Sequence, residues 1–176
     1  MKKFGFTLPE VLVALTIVGV IGAITIPQVV SNVETRKTGA LLGRASEQIS
    51  LACQNAIQDY NDTVTDGRYA EKLSDITDID LTKYLGLTDV FVSTDDKAKY
   101  NEKGISTDDW KILSKSPVYI QEQGDKKFFV DVNGFSGKNE VGVDQFEIYL
   151  NDNCTITPGD SASTEIFQND FRVKVD

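Results

Sequence analysis

Hydrophobic positions divide the chain into three zones. From Val11 to Ile26 the sequence carries no charge. Between Val33 and Tyr60 the apolar residues thin to three- and four-residue steps. They fall at Val33, Ala40, Leu41, Ala45, Ile49, Ala52, Cys53, Ala56, Ile57 and Tyr60, the spacing of one helix face. Glu34, Arg36, Lys37, Arg44, Glu47, Gln54 and Asp59 take much of the remaining surface. The two patterns join into one continuous helix, predicted from about Leu8 to Tyr60. Gly39 and Gly43 weaken it by up to ~1 kcal/mol each relative to alanine.

Past Tyr60 the period changes. Asn61–Gly67 breaks the helical pattern, and Asp78–Leu85 predicts a short helix, started by Thr77 or Asp78 and stopped by Gly86. The charged stretch 90–104 reads as a surface loop. Clusters of β-formers predict strands at Trp110–Leu113, Val118–Gln123, Phe128–Val132, Gln145–Leu150 and Phe171–Val175. Gly124-Asp125 supplies a tight turn between the second and third. The fold class is therefore α+β: a long N-terminal helix packed on a small antiparallel sheet.

Composition narrows the chemistry. The 176 residues suit one domain, and their net charge of −9 opposes direct nucleic-acid binding, which needs cations to displace phosphate counterions. Histidine is absent, which removes Ser-His and Cys-His nucleophile pairs and His-containing metal sites. Two cysteines, Cys53 and Cys154, are too few for a structural zinc site. The carboxylate pairs Asp95-Asp96 and Asp108-Asp109 sit on adjacent residues, which project differently, and read as solvated turns. The chain is read as a non-enzyme.

The apolar zone is long enough to cross a membrane. Phe6 to Ile26 as a helix spans roughly 31 Å against a hydrocarbon core of ~30 Å. A secretory signal would show ~7–15 apolar residues and then a small-x-small cleavage site. This run is longer, and Ile24-Thr25-Ile26-Pro27 makes no such site. Glu10 stands at its start. A carboxylate at membrane depth costs several kcal/mol unless it finds a partner, which makes it a functional candidate. Snorkelling to the headgroups, or support of the helix N-terminus through the dipole, are the structural alternatives. Lys2 and Lys3 precede the run and Arg36, Lys37 and Arg44 follow it, so charge alone does not orient the helix.

Gly5-Phe6-Thr7-Leu8-Pro9-Glu10, led by the basic Met1–Gly5 and followed by about twenty apolar residues, closely resembles the prepilin signature of type IV pilins and type II secretion pseudopilins. The resemblance covers roughly residues 1–30. Pro9 departs from the commoner aliphatic residue, yet proline in a first helical turn loses no intrahelical bond. The resemblance implies three parts: a leader (1–5), a transmembrane and filament-core helix (6–30), and an exported pilin head (31–176) that includes the second half of the helix.

It implies roles as well. Prepilin peptidase would cut between Gly5 and Phe6, and the new amine of Phe6 would be N-methylated. Glu10 would meet the N-terminus of a neighbouring subunit, and Pro27 would bend or loosen the helix. Gly19 and Gly22 could allow close helix approach, or be ordinary membrane-helix composition. The expected partners are copies of the chain in a helical filament, other pilins, the peptidase and inner-membrane assembly machinery. The precursor would be a single-pass inner-membrane protein with its head outside, and the assembled form a periplasmic or surface filament. Either a pilus or a pseudopilus fits; the alternative is an anchored extracytoplasmic binding domain that never assembles.

Two further readings concern the head. In an exported domain Cys53 and Cys154 are expected to form a disulfide tying the C-terminal region to the helix, two buried thiols being the other possibility. Many pilins instead keep both cysteines near the C-terminus. Asp131, Asn133, Asn139 and Asp144 are oxygen donors of the kind calcium prefers, and some pseudopilins carry a calcium loop near the C-terminus. The spacing is not that of an EF-hand, and a glycine-rich turn explains the same residues, so no cofactor is expected.

Overall fold

A computed structural model of the chain describes residues 7–77, 79–89, 110–113, 116–124, 126–134, 140–169 and 171. Its first element is one helix, α1, over Leu8–Thr63. Thr7 is extended at φ −79° and ψ 153°, and Pro9 lies in the first turn, where its missing N–H leaves no gap in the ladder. Pro27 lies in the helix interior, and the helix continues through it. At the far end Asn61 holds the departing chain: its Nδ2 donates to the Ala70 carbonyl at 2.9 Å, and its Oδ1 accepts the Ala70 N–H at 2.7 Å.

The two halves of α1 meet different surroundings. Apolar side chains from Leu8 to Val33 are exposed, Leu8 at 77% and Val18 at 67%. From Leu42 onward a stripe of Leu42, Ala45, Ile49, Ala52, Cys53 and Ala56 is almost fully buried. Its three alanines allow the sheet to approach the helix backbone closely. The predicted stripe starts too early: Val33 and Ala40 are exposed, and Leu42 rather than Leu41 is fully buried. Three adjacent hydrophobic residues at 40–42 leave the helix rotation undetermined by periodicity alone.

A turn of 3₁₀ helix, Leu73–Asp75, precedes α2 (Thr82–Leu85). Then come β1 (Leu87–Asp89), β2 (Lys111–Leu113), β3 (Tyr119–Glu122), β4 (Lys127–Asp131), β5 (Gln145–Leu150) and β6 (Ile156–Pro158), with α3 (Ser161–Gln168) closing the order. The strands form one antiparallel sheet in sequence order. Register sets Ile120 beside Val130 and Val130 beside Phe146, with Phe128 beside Ile148. These residues form the inner face, which packs with Leu113, Val118 and Leu150 against the buried stripe of α1. The hairpin predicted between the second and third strands is present. Gly124 and Lys126 take left-handed φ values of 78° and 62°, and Gln123 N–H donates to the Lys127 carbonyl at 2.9 Å.

Several expectations are corrected. The short helix begins at Thr82 rather than Asp78, because the Asp80 carboxylate accepts the Thr82 N–H at 3.0 Å and its hydroxyl at 2.5 Å. Gly86 ends it as predicted, in the left-handed conformation. Phe171, the first residue of the predicted fifth strand, is a turn; the rest of that segment lies outside the described residues, as do 90–109, the loop and acidic pairs among them. β1, β6 and α3 were not predicted. The first two have only three residues each, too few to show a period.

α3 had a readable start. Asp160 Oδ1 accepts the Ser163 N–H at 2.7 Å, an N-cap three residues ahead of its donor. Its Oδ2 accepts the Glu147 N–H from β5 at 2.6 Å, and this joins the helix to the sheet. After α3 the chain turns back on α1. The Phe171 ring covers Gly43 so closely that a Cβ there would sit 2.9 Å from Phe171 Cγ. Gly43 is thus the seat of an aromatic ring as well as a weak point in the helix.

Candidate functional site

An exposed carboxylate stands in the first turn of α1. Glu10 is the third helical residue, placed by helical geometry back over Thr7. One carboxylate oxygen, Oε2, accepts both the Thr7 N–H and the Thr7 hydroxyl at 2.7 Å. This satisfies an orphan donor at the helix start, and the Thr-x-x-Glu spacing that produces it is legible in the sequence. Among the described residues no cation pairs with Glu10. A shallow groove beside it is lined by Pro9, Val13, Ala14 and Ile17, so the carboxylate sits at the edge of apolar surface.

The rod that follows is long and apolar enough to cross a membrane, and none of its most apolar stretch is buried in the chain itself. Threonines within it are satisfied locally. Thr16 and Thr25 donate their hydroxyls to the carbonyls of Leu12 and Ile21, at 2.8 and 2.9 Å. A polar side chain that bonds its own helix can enter an apolar environment without an unpaired group. Among the described residues a Cβ added at Gly22 would meet only Ile26 Cδ1, at 3.9 Å, and one added at Gly19 would meet nothing within 4 Å. Gly5 and Phe6 lie outside the described residues.

In the head, Cys53 and Cys154 are joined in a disulfide across 101 residues, with Cα atoms 5.5 Å apart. Cys154 sits at φ 61° in the β5–β6 turn, and Ser50 donates its hydroxyl to the Cys154 carbonyl at 2.7 Å. The same turn accepts the Leu73 N–H through the Asp152 carbonyl at 2.9 Å. Helix, 3₁₀ turn and sheet edge are therefore fastened at one point.

The calcium candidates meet in part. Asp131 is fully buried and Asp144 nearly so. Asp131 Oδ1 accepts the Asn133 N–H at 3.0 Å and Oδ2 the Gln145 amide at 3.2 Å. Asp144 Oδ1 accepts the Glu140 N–H at 2.8 Å, and Oδ2 the Asn133 side-chain amide at 3.1 Å. All four carboxylate oxygens thus hold N–H donors, and Asn133 turns its amide NH₂, not its oxygen, toward Asp144. A cation would have to share these oxygens with their N–H donors. Asn139 lies outside the described residues. Gly134, at φ 66°, lets the loop fold under the Tyr119 ring, where a Cβ would come within 2.2 Å of Cε2. Burial pushes the Asp131 carboxyl up to about 6 against the pull of its hydrogen bonds to Gln145 and Asn133.

Comparison with known proteins agrees with the position of the rod. Residues 1–26 match the family model described as the prokaryotic N-terminal methylation motif. No curated protein and no solved structure matches the chain. The matched segment contains Glu10 and the whole uncharged run. The motif and the exposed apolar helix fit a membrane-anchored, pilin-like precursor.

Proposed function

We propose that the chain is a structural subunit of a type IV pilus or a related pseudopilus. Prepilin peptidase removes residues 1–5, Phe6 is N-methylated, and the mature chain waits in the inner membrane with its head outside. Assembly machinery then draws copies, with other pilins, into a helical filament at the cell surface or in the periplasm. The observation that carries this reading is one continuous helix, Leu8–Thr63, that begins inside the matched methylation motif and whose first half is apolar and exposed while its second half anchors the head.

The physics of Glu10 supports the same role. Its charge is held at the edge of an apolar groove and lacks a cation among the described residues. A neighbour's N-terminal ammonium would offset the desolvation of both charges, and only one axial offset would bring them together. No reaction is assigned to the chain: it acts by packing.

Intact mass and N-terminal sequence, taken from membranes and from sheared surface material, test the reading. The expected chain starts at Phe6 and is heavier by one methyl group. Glu10→Ala is expected to keep this processing and lose at least tenfold in sheared filaments. A chain that retains Met1–Gly5 in processing-competent cells overturns the proposal and leaves an anchored binding domain.

A further inference from the structure

Charge is segregated along the chain, and packing among the described residues does not account for it. Five of the 18 cations and two of the 27 acids precede residue 45. The remainder, 13 cations against 25 acids, gives residues 45–176 a net charge of −12. The stalk is different. Arg36, Lys37 and Arg44 outnumber Glu10 and Glu34 there once the leader is gone.

The three cations share the back of α1. At ~100° per residue Lys37 and Arg44 project within ~20° of each other, and Arg36 lies within ~100° of both. The buried stripe centred on Ala45, Ile49 and Cys53 points roughly 120–140° away from all three. All three are exposed, and none has an ion pair among the described residues. Among the described residues their own head packs mainly on the other side of the helix, the Phe171 ring on Gly43 being the exception, and brings no carboxylate to neutralise them.

Lipid phosphate is poorly placed to do so. With Phe6–Ile26 across the hydrocarbon, Arg36 lies ten residues farther on, about 15 Å along the axis. A headgroup layer is only ~5–8 Å thick, and Arg44 lies about 27 Å from Ile26. Parallel copies at the same height would set these cations against one another. An axially staggered copy sets them against a head of net charge −12 instead, where attraction between exposed charges favours association and register.

We propose that Arg36, Lys37 and Arg44 form a docking band for the acidic head of a second, axially staggered copy of this chain. The inference rests on the filament reading and adds to it a contact outside the apolar rod. Two measurements on the full-length chain in its native host test it. In sheared wild-type filaments, a zero-length carbodiimide cross-linker is expected to join Lys37 to an Asp or Glu of residues 45–176 of another subunit, as read by peptide mass spectrometry. Reversal of the band (Arg36→Glu, Lys37→Glu, Arg44→Glu) is expected to reduce filament yield at least tenfold while the Phe6 start, the methyl group and the head's melting temperature stay unchanged. The charge-keeping set Arg36→Lys, Lys37→Arg, Arg44→Lys is expected to assemble normally.

Both results are required. Wild-type filaments without the cross-link, or assembly of the reversed band at wild-type yield, overturn the docking band and leave the filament reading intact. If the wild type is not processed or forms no filament, the filament reading fails and the docking band with it.

Discussion

The two halves of α1 use similar apolar residues to opposite ends. In Leu8–Val33 they surround the helix and stay exposed; in Leu42–Ala56 all but Leu51 form a stripe and disappear beneath the sheet. A stripe can be buried by one partner of the same chain. A helix apolar on all sides cannot, because a single sheet covers only one face. The first half therefore needs a surrounding medium, lipid or identical helices, and the second needs only its own head. Stability of the head and assembly of the rod should respond to separate sets of substitutions.

The largest contrast is expected between Phe128→Ala and Ile17→Ala. Phe128 is 1% exposed in the centre of the sheet, and its truncation should cost the head about 3–5 kcal/mol. Ile17 is 54% exposed, so its truncation should leave head unfolding unchanged in detergent-solubilised full-length chain and show only in filament yield. Equal loss of head stability from both would break the division.

Next in size is the disulfide, which lies wholly on the head side of that division. Cys53→Ser should lower head stability by about 2–4 kcal/mol, since the bridge closes a long loop in the unfolded chain. In denaturant melts the variant should fall close to the reduced wild type and well below the oxidised one.

An effect of similar size follows from pH. The folded chain keeps the Asp131 proton to about 6, whereas an unfolded aspartate releases it near the ordinary value of 3.8. The protonated form is thus favoured by folding. Its contribution is fully present below about pH 4, is lost as pH rises to about 6, and is constant above that. Relative to Asp131→Asn, the wild type should lose on the order of 3 kcal/mol across this window. Parallel pH profiles for the two proteins would assign the buried carboxyl no such role.

The smallest contrast compares two glycines of one helix. Gly43→Ala must displace the Phe171 ring and should destabilise the head by about 1 kcal/mol. Gly22→Ala meets nothing closer than Ile26 Cδ1 at 3.9 Å and should leave head melting unchanged. A drop in filament yield from Gly22→Ala alone would show that the assembled rod uses Gly22 for close helix approach.

Sequence alone determined the long helix, its apolar start and four of the six described strands; the Thr7-x-x-Glu10 interval is visible there too, but it was not predicted as a cap. These are local matters: an uninterrupted run, a three-residue capping interval and alternation over four to six residues are each visible within a short window. The cysteine pairing stayed open because side chains 101 positions apart meet only once the sheet folds back on α1. Likewise Gly43 read as a weakness until Phe171 was seen to need its missing side chain. Asp131 and Asp144 read equally as ligands or turn formers, and only the direction of the N–H groups around them decided which bonds they make. What the tertiary structure decided was which apolar residues are covered by the chain itself, because burial depends on the partner as well as on the pattern.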